Sequence, residues 1–370
     1  SKPKSMNRLE ACLLLESLPG MGWNRAQRMV THFGSPEAIF LAKHQDWESV
    51  EGIGEKGCNA LKSWKKGLLS AEKKAREIKT LGIQCLFFGT PEYPLALSFC
   101  ADAPLVLFYK GTLSFQDRSI VSIVGTRQNT PHGRAFCEEL IHTLAPFNPI
   151  ICSGLARGID IIAHRAALKA NLDTVACLAH SFDRIYPYEH HKTASEIEKK
   201  GALVTDFLPG AVFNRANFPR RNRLIAGMAH ATVVIESAVK GGSMNTADLA
   251  HQYGRELFAV PGRPSDLKSG GCHQLLFQQK AQLLTDPQEI VNTLGWNKQV
   301  VTKAIQKPLF VDLTEEERQL FTQFSKEGKI HLDHLAFSVG IKVSTTASLL
   351  MQMEMKGMVR ALPGKYFEWI

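Results

Sequence analysis

Between Asn214 and Thr246 the chain reads NRANFPRRNRLIAGMAHATVVIESAVKGGSMNT, and the side chains most capable of binding chemistry are concentrated there. Arg215, Arg220, Arg221 and Arg223 fall close together, no acid lies between Asn214 and Gly227, and Phe218 sits among the cations. Unopposed arginines attract polyanions by releasing their counterions. Asn222 lies between two of the arginines. Further on, Lys240, Gly241, Gly242 and Ser243 form a glycine-rich loop, and a helical pattern resumes at Met244. Such a loop can offer backbone N–H groups and a helix N-terminus to an anion. By itself it is equally an ordinary strand–helix turn, since such turns are common. Arginines and loop arising from one α/β unit favour a polyanion site.

The elements that must hold these residues follow from the hydrophobic pattern. ATVVIE is β-branched and unbroken, as a strand covered on both faces must be. SIVSIVG, PIIC, DTVACLA, ALVTDF and ELFAV read the same way, and helical stretches separate most of them from Arg118 to about Trp296. This alternation predicts a mostly parallel, doubly wound sheet whose binding edge lies at the carboxyl ends of the strands. Small residues and cations gather at those ends: Gly125-Thr126-Arg127, then Ser153-Gly154-Leu155-Ala156-Arg157-Gly158, then Glu236 and the Lys240 loop, then Pro261-Gly262. Gly125, Thr126, Ser153, Gly154 and Arg157 are therefore phosphate-loop candidates.

Several chemistries lack their motifs. No GxGxxG follows the first strand and no GxxxxGK[ST] occurs, which removes the usual dinucleotide and Walker-type ATP signatures. No carboxylate pair or Ser/His/Asp order stands out, and no catalytic residue, cofactor or metal is assigned. Asp160 and His164 are four apart on one face of an expected helix. They could form an acid–base pair, or Asp160 could cap the helix start while His164 packs locally.

The flanks differ in character. Residues 7–70 are helical, with LPGMGWNRAQRMV and VEGIGEKGCNALKSW resembling tandem helix–hairpin–helix units. Their glycines let a hairpin turn tightly and present N–H groups to a phosphate, or serve only the turns of a small helical bundle. Residues 71–297 hold the sheet, led by a helix over AEKKAREIKTLG and short strands over IQCLFFG and LVLFYKG. Residues 298–310 form a basic linker with Lys298, Lys303 and Lys307 and no acid. Residues 311–370 read as three helices and a hairpin turning at Pro363-Gly364, the order of a winged helix. That segment holds 7 Lys+Arg against 8 Asp+Glu, and its third helix has only Lys356, at its end. Major-groove reading needs more cations than this, so protein contact or a weak DNA role is expected there.

Over the whole chain of 370 residues the formal net charge is +9, which favours an acidic partner. The eight cysteines are scattered without CxxC or paired-His spacing and mostly lie in apolar runs, as buried thiols of a reducing cytosol do. No window reaches the about 18 apolar residues of a membrane span, and no signal-peptide pattern is present, so a cytoplasmic location is expected.

The segments IVGTRQNTPHG, SGLARGIDIIAH, RIYPYEH, FPRRNRLIAG, GGSMNTADLA and GRELFAVPG, in this order, resemble the DNA-processing protein A family (DprA, also called Smf) of bacterial transformation. The resemblance spans Ile120 to Gly262 closely and the flanking domains more loosely. It implies an extended Rossmann fold between an N-terminal helical (helix–hairpin–helix or SAM-like) domain and a C-terminal winged helix. It implies a homodimer that binds single-stranded DNA without base specificity and loads a RecA-type recombinase, with no established catalysis. Arg127 matches the arginine of the family's G-S-R motif, with Thr126 departing at the middle position. Arg215 matches a basic position and Phe218 a base-stacking aromatic; Arg221, Asn222 and Arg223 match the following RNR element. Lys240, Gly241, Gly242 and Ser243 match a loop usually written S-G-S, so Gly241 supplies no hydroxyl. One competing class is a Rossmann-type nucleotide phosphohydrolase or phosphoribohydrolase with an Arg–Glu pair beside a Pro-Gly-Gly loop; here Glu236 precedes the loop and Lys240 replaces the proline. A duplex-specific regulator acting through the winged helix is disfavoured by that domain's charge.

Overall fold

The computed structural model describes residues 6–296 and 313–370; the basic linker at 298–310 lies outside them. Eight expected strands form: β1 (Gln84–Phe87), β2 (Val106–Gly111), β3 (Ile120–Gly125), β4 (Ile150–Ser153), β5 (Thr174–Cys177), β6 (Ala202–Thr205), β7 (Ala231–Ile235) and β8 (Glu256–Ala259). A ninth, β9 (Gln282–Leu283), consists of two exposed residues with no strand pattern of their own. They make one sheet in the order β1-β2-β6-β5-β4-β3-β7-β8-β9. From β6 to β9 in that order every pairing is parallel, and β2 and β1 extend the other edge antiparallel.

The alternation of side chains across each strand sorts the core into two layers. Val121 and Ile123 pack with Cys137, Leu140 and Ile162 on one face, while Ile120 and Val124 pack with Leu224, Ile225 and Ala247 on the other. Helices Pro131–Leu144, Ile159–Lys169 and His191–Lys200 cover the first face; Asn217–Met228, Gly242–Gln252 and Gly270–Phe277 cover the second. β4, β5, β6 and β7 are buried at every position. The architecture is the doubly wound, extended Rossmann type. Its strand order reverses between β3 and β7, and a crevice for ligands opens at such a point.

The N-terminal helices pack Leu14, Leu15, Met29, Ile39 and Ile53 into a core of their own. That core also takes in Ala71, Ala75 and Ile78, and reaches Val106 and Phe108 of β2. A boundary at residue 70 thus falls inside the helix Leu68–Thr80, because the apolar face of that helix belongs to the helical unit. The unit docks through Trp23, whose ring lies 3.8 Å from the Arg223 guanidinium carbon. Glu16 accepts a hydrogen bond from the Leu105 amide at 2.8 Å, and burial raises its carboxyl to about 7.

The C-terminal unit has helices Glu315–Glu327, Leu332–Val339 and Val343–Met355 and a three-stranded sheet. Thr314 and Glu317 form the expected reciprocal cap, and the wing turns at Gly364, with φ of 80°. Lys356 is tied to Glu317 at 2.5 Å, and the third helix exposes Met351 and Met355. Tyr366 stacks on Phe99 with centroids 4.6 Å apart, which joins this unit to the rest. All eight cysteines are unbridged, seven of them buried. Among the described residues no helix is long and apolar enough to cross a membrane.

Candidate nucleic-acid interface

The pairing of β3 with β7 sets Gly125 level with Ile235, so both strands end at one rim. Gly125 is required there, because a Cβ would collide with the Ile235 carbonyl. Beyond the rim the Thr126 amide donates to the Glu236 carbonyl at 2.7 Å. The Glu236 carboxylate turns away from the opening and accepts from the Thr130 amide at 2.8 Å and from the Thr130 hydroxyl. It pins the loop that carries Arg127. Between the two strand ends lies a cleft of about 510 Å³, bordered by Thr126, Arg127, Phe218, Asn222, Gly242 and Asn245.

The SGLARG loop is built around buried groups. Asp160 Oδ2 accepts from the amides of Gly154 and Ala156 at 3.2 and 3.4 Å. Burial raises the Asp160 carboxyl, and the nearby Arg221 opposes that shift. Arg221 itself is 4% exposed, and its Nη1 donates to the Gly154 carbonyl at 2.6 Å and to the Cys177 carbonyl. Ser153 Oγ donates to the Ile123 carbonyl at 2.6 Å, strapping β4 to β3. Gly158, at φ 76°, lies against Thr126 and Arg127 with no room for a side chain.

Asp160 and His164 do not form an acid–base pair. Asp160 folds back on its loop, whereas His164 Nδ1 meets Thr174 Oγ1 at 2.7 Å inside the core. The Thr174 hydroxyl donates to the Ile151 carbonyl at 2.8 Å, so the imidazole donates to Thr174 from Nδ1 and its buried Nε2 has no partner. A proton there would be a desolvated charge, and burial lowers the His164 pKa from 6.5 to about 3. The folded state therefore binds fewer protons than the unfolded chain. The associated stability is complete above pH 6.5 and is lost as pH falls toward 3. Denaturant titrations from about pH 7 to about pH 4 should show a shallower acid loss for His164→Gln than for the parent; equal slopes would contradict it.

The arginines of the rim have different surroundings. Arg127 is exposed, with its guanidinium 5.5 Å from the Phe218 ring centroid. Arg221 also approaches that ring, at 5.8 Å, but it is buried, its Nη1 is committed to two backbone carbonyls and its Nε donates to Asn222 Oδ1 at 3.2 Å. Arg223 points away from the cleft: it is 4% exposed, pairs with Asp206, donates to the Asp102 carbonyl and lies over Trp23. Arg220 also pairs with Asp206, at 2.9 Å. As a direct contact for a ligand in the cleft, Arg223 is thus displaced by its structural role. Arg215 and Lys240 are exposed but line neither this cleft nor the smaller one beside it.

In the loop, the Gly241 amide donates to the Ala238 carbonyl at 2.8 Å, and the helix Gly242–Gln252 starts without a side-chain cap, with Gly241, Gly242 and Ser243 bordering the cleft. Ser243 Oγ is directed to Ser237 Oγ at 2.7 Å, within the protein. Asn222 Nδ2 bridges to Asn245 Oδ1 at 3.2 Å. Arg157 pairs with Glu189 at 2.7 Å and borders the smaller cleft with Arg127 and Phe218.

Sequence reasoning missed two aromatics. Tyr186, 44% exposed, and Phe213 surround Phe218 with centroids at 5.8 and 6.0 Å. Tyr186 lies in the RIYPYEH segment, where an aromatic next to proline is the only available signal. Phe213 is just upstream of the arginine cluster, with nothing in its spacing to mark it.

Two family models match the chain. One, described as DNA recombination-mediator protein A, covers residues 84–295; the other, the DprA winged helix domain, covers residues 307–365. Protein Smf of Escherichia coli is 35% identical over 283 residues, 74% of each chain. The crystal structure of DNA processing protein A from Streptococcus pneumoniae superposes with a TM-score of 0.63 at 29% identity, covering 76% of this chain and 95% of its own. A solved structure of DNA processing protein A from Helicobacter pylori, described by its single-stranded DNA binding mode, gives a TM-score of 0.53 at 31% identity over 58% of this chain and 96% of its own. The first model begins at β1 and ends beyond β9, so it embraces the whole sheet and the cleft at its switch point; this chain belongs to the DNA recombination-mediator protein A family.

Proposed function

We propose that the cleft between β3 and β7 holds single-stranded DNA without base preference. The observation that carries this is Phe218, set near the Arg127 and Arg221 guanidiniums beside an uncapped helix N-terminus. A ring accepts any base, the exposed cation meets phosphate, and the helix start favours negative charge. The Helicobacter pylori relative, described by its single-stranded DNA binding, supports the same assignment. Arg127, Phe218 and the Gly242 amide are the proposed contacts inside the cleft, and the exposed Arg215 and Lys240, which lie outside its lining, are proposed contacts for the strand beyond it. Arg221, Asn222, Ser243 and Gly154 shape the cleft from behind, and Arg223 anchors the helix that carries Phe218.

Binding, not turnover, is the proposed activity. Glu236, the carboxylate a phosphoribohydrolase would use, is engaged by Thr130, and Asp160 by its own loop. Competition at fixed salt is the test. Oligo-dT and mixed-sequence single strands should bind alike and well above duplex, with mononucleotides weak and unhydrolysed; preferential mononucleotide binding with turnover would replace this function with the hydrolase.

Family membership supports two further assignments. The bound strand is delivered to a RecA-type recombinase during natural transformation in the cytoplasm, and the working form is a homodimer. A surface suited to the second is present. Phe277 is 90% exposed on the helix Gly270–Phe277, next to the edge strand β9, where Leu283 is 54% exposed. An open strand edge beside an exposed phenylalanine is a surface that self-association would cover. Sedimentation at tens of micromolar should show a dimer for the parent and a monomer for Phe277→Glu; a dimer in both places the interface elsewhere.

A further inference from the structure

The helical layer on the first face of the sheet carries positive charge that its packing does not use. Helices Pro131–Leu144 and Ile159–Lys169 enclose a groove of about 540 Å³ lined by Arg134, Arg165 and Lys169, with Glu138 as its acid. An adjoining recess of about 670 Å³ shares Arg165 and Lys169 and adds Lys192, Lys199 and Lys200, with Glu189 and Glu196. Among the described residues none of these six cations makes an ion pair. Glu189 is already taken by Arg157. Opposite signs stand at i, i+4 in Arg134/Glu138 and in Lys192/Glu196/Lys200 without closing an ion pair, and the six cations outnumber the three acids of the lining, which leaves a basic track.

The track is continuous with the cleft. Its upper end is bordered by Asn129 and Gly158. Their chain neighbours Gln128 and Arg157 border the cleft and its smaller companion. The Ile159 amide donates to the Thr126 carbonyl at 3.1 Å, which fixes the helix start against the Arg127 loop. From there Ile159–Lys169 runs away from the rim with Arg165 and Lys169 on one side, at i and i+4.

We propose that a single strand held in the cleft continues over the Arg157–Gly158 shoulder into this groove, where Arg134, Arg165 and Lys169 meet its phosphates. The proposal rests on the cleft being the strand-binding site. The helix is about 16 Å long at ~1.5 Å per residue, a run that several successive phosphates can follow. No Phe, Tyr or Trp lines the groove or the recess, so the added contacts are to phosphate and carry no base preference.

The test compares oligo-dT of about 6 and about 25 nucleotides, short and long against the usual range of site sizes, over a salt series. Arg134→Gln/Arg165→Gln/Lys169→Gln should lower the salt slope for the long strand by about 2, roughly 0.7 for each phosphate contact, and leave the short strand unchanged. Because Arg165 Nε also donates to Thr193 at 3.3 Å, the double variant Arg134→Gln/Lys169→Gln serves as well if the triple one folds poorly. It should lower the long-strand slope by about 1.4. Parent-like binding of the long strand overturns the proposal and leaves the groove to an acidic protein partner. Equal losses on both lengths also overturn it, since the charges would then act only as a diffuse field. Arg127→Ala, read on the short strand alone, reports separately whether the cleft itself binds DNA.

Discussion

Arg127→Ala weakens binding to every single-stranded sequence alike and makes its salt dependence shallower, by about 0.7 in log–log slope, the share of a single neutralised phosphate. Arg127 is the exposed cation of the cleft, held by a loop that Glu236 pins through Thr130. Removing it leaves the loop's backbone bonds in place, so the protein stays folded and only the charge is missing. Phe218→Ala has a different signature. It costs roughly 1–3 kcal/mol of affinity, the worth of one stacked base, with the salt slope nearly unchanged. Phe218 also packs against Tyr186 and Phe213, so thermal melting is measured alongside, and Phe218→Leu separates packing from stacking. Leucine fills much of the volume and cannot stack, so it should restore melting and not affinity. If Phe218→Leu binds as the parent does, the ring is structural; if Arg127→Ala also binds normally, the cleft is not the site.

Arg223→Ala and Asp206→Ala, by contrast, should each lose roughly 3–5 kcal/mol of stability, the usual cost of breaking a buried ion pair from one side. The two side chains are 4% and 2% exposed. Removing Asp206 strands the Arg223 guanidinium between Trp23 and the Asp102 carbonyl. Removing Arg223 leaves the Asp206 carboxylate with Arg220 alone. The double variant Arg223→Met/Asp206→Leu should be more stable than either single alanine variant, because apolar groups of similar size leave no buried charge uncompensated. Denaturant titration reads these differences. DNA binding measured below the melting transition should keep the parental salt slope in all three. A stable Arg223→Ala that binds DNA weakly would return Arg223 to the phosphate contacts.

The sheet was legible in the sequence because its central strands are covered on both faces. ATVVIE and SIVSIVG contain little else but side chains suited to burial, and their ends at Glu236 and Gly125 located the rim correctly. The cap at Thr314–Glu317 and the turn at Gly364 were equally local, since a few bonds within a few residues settle them. β9 was not legible: two residues carry no periodicity, and only the neighbouring edge of β8 makes them a strand. The arginine cluster marks where the sequence stops being sufficient. Read as a string, Arg220, Arg221 and Arg223 form one basic patch. Wound into the helix Asn217–Met228, successive residues turn by about 100°. Arg221 therefore goes under the SGLARG loop and Arg223 toward the N-terminal helices. The partners that settle each fate, Gly154, Cys177, Asp206 and Trp23, come from other elements. Residue type and spacing determined that positive charge and an aromatic would meet at this rim. Which charges stay available was decided by the tertiary structure, because a buried guanidinium needs an acid or carbonyls against it and only the packed chain brings those partners to it.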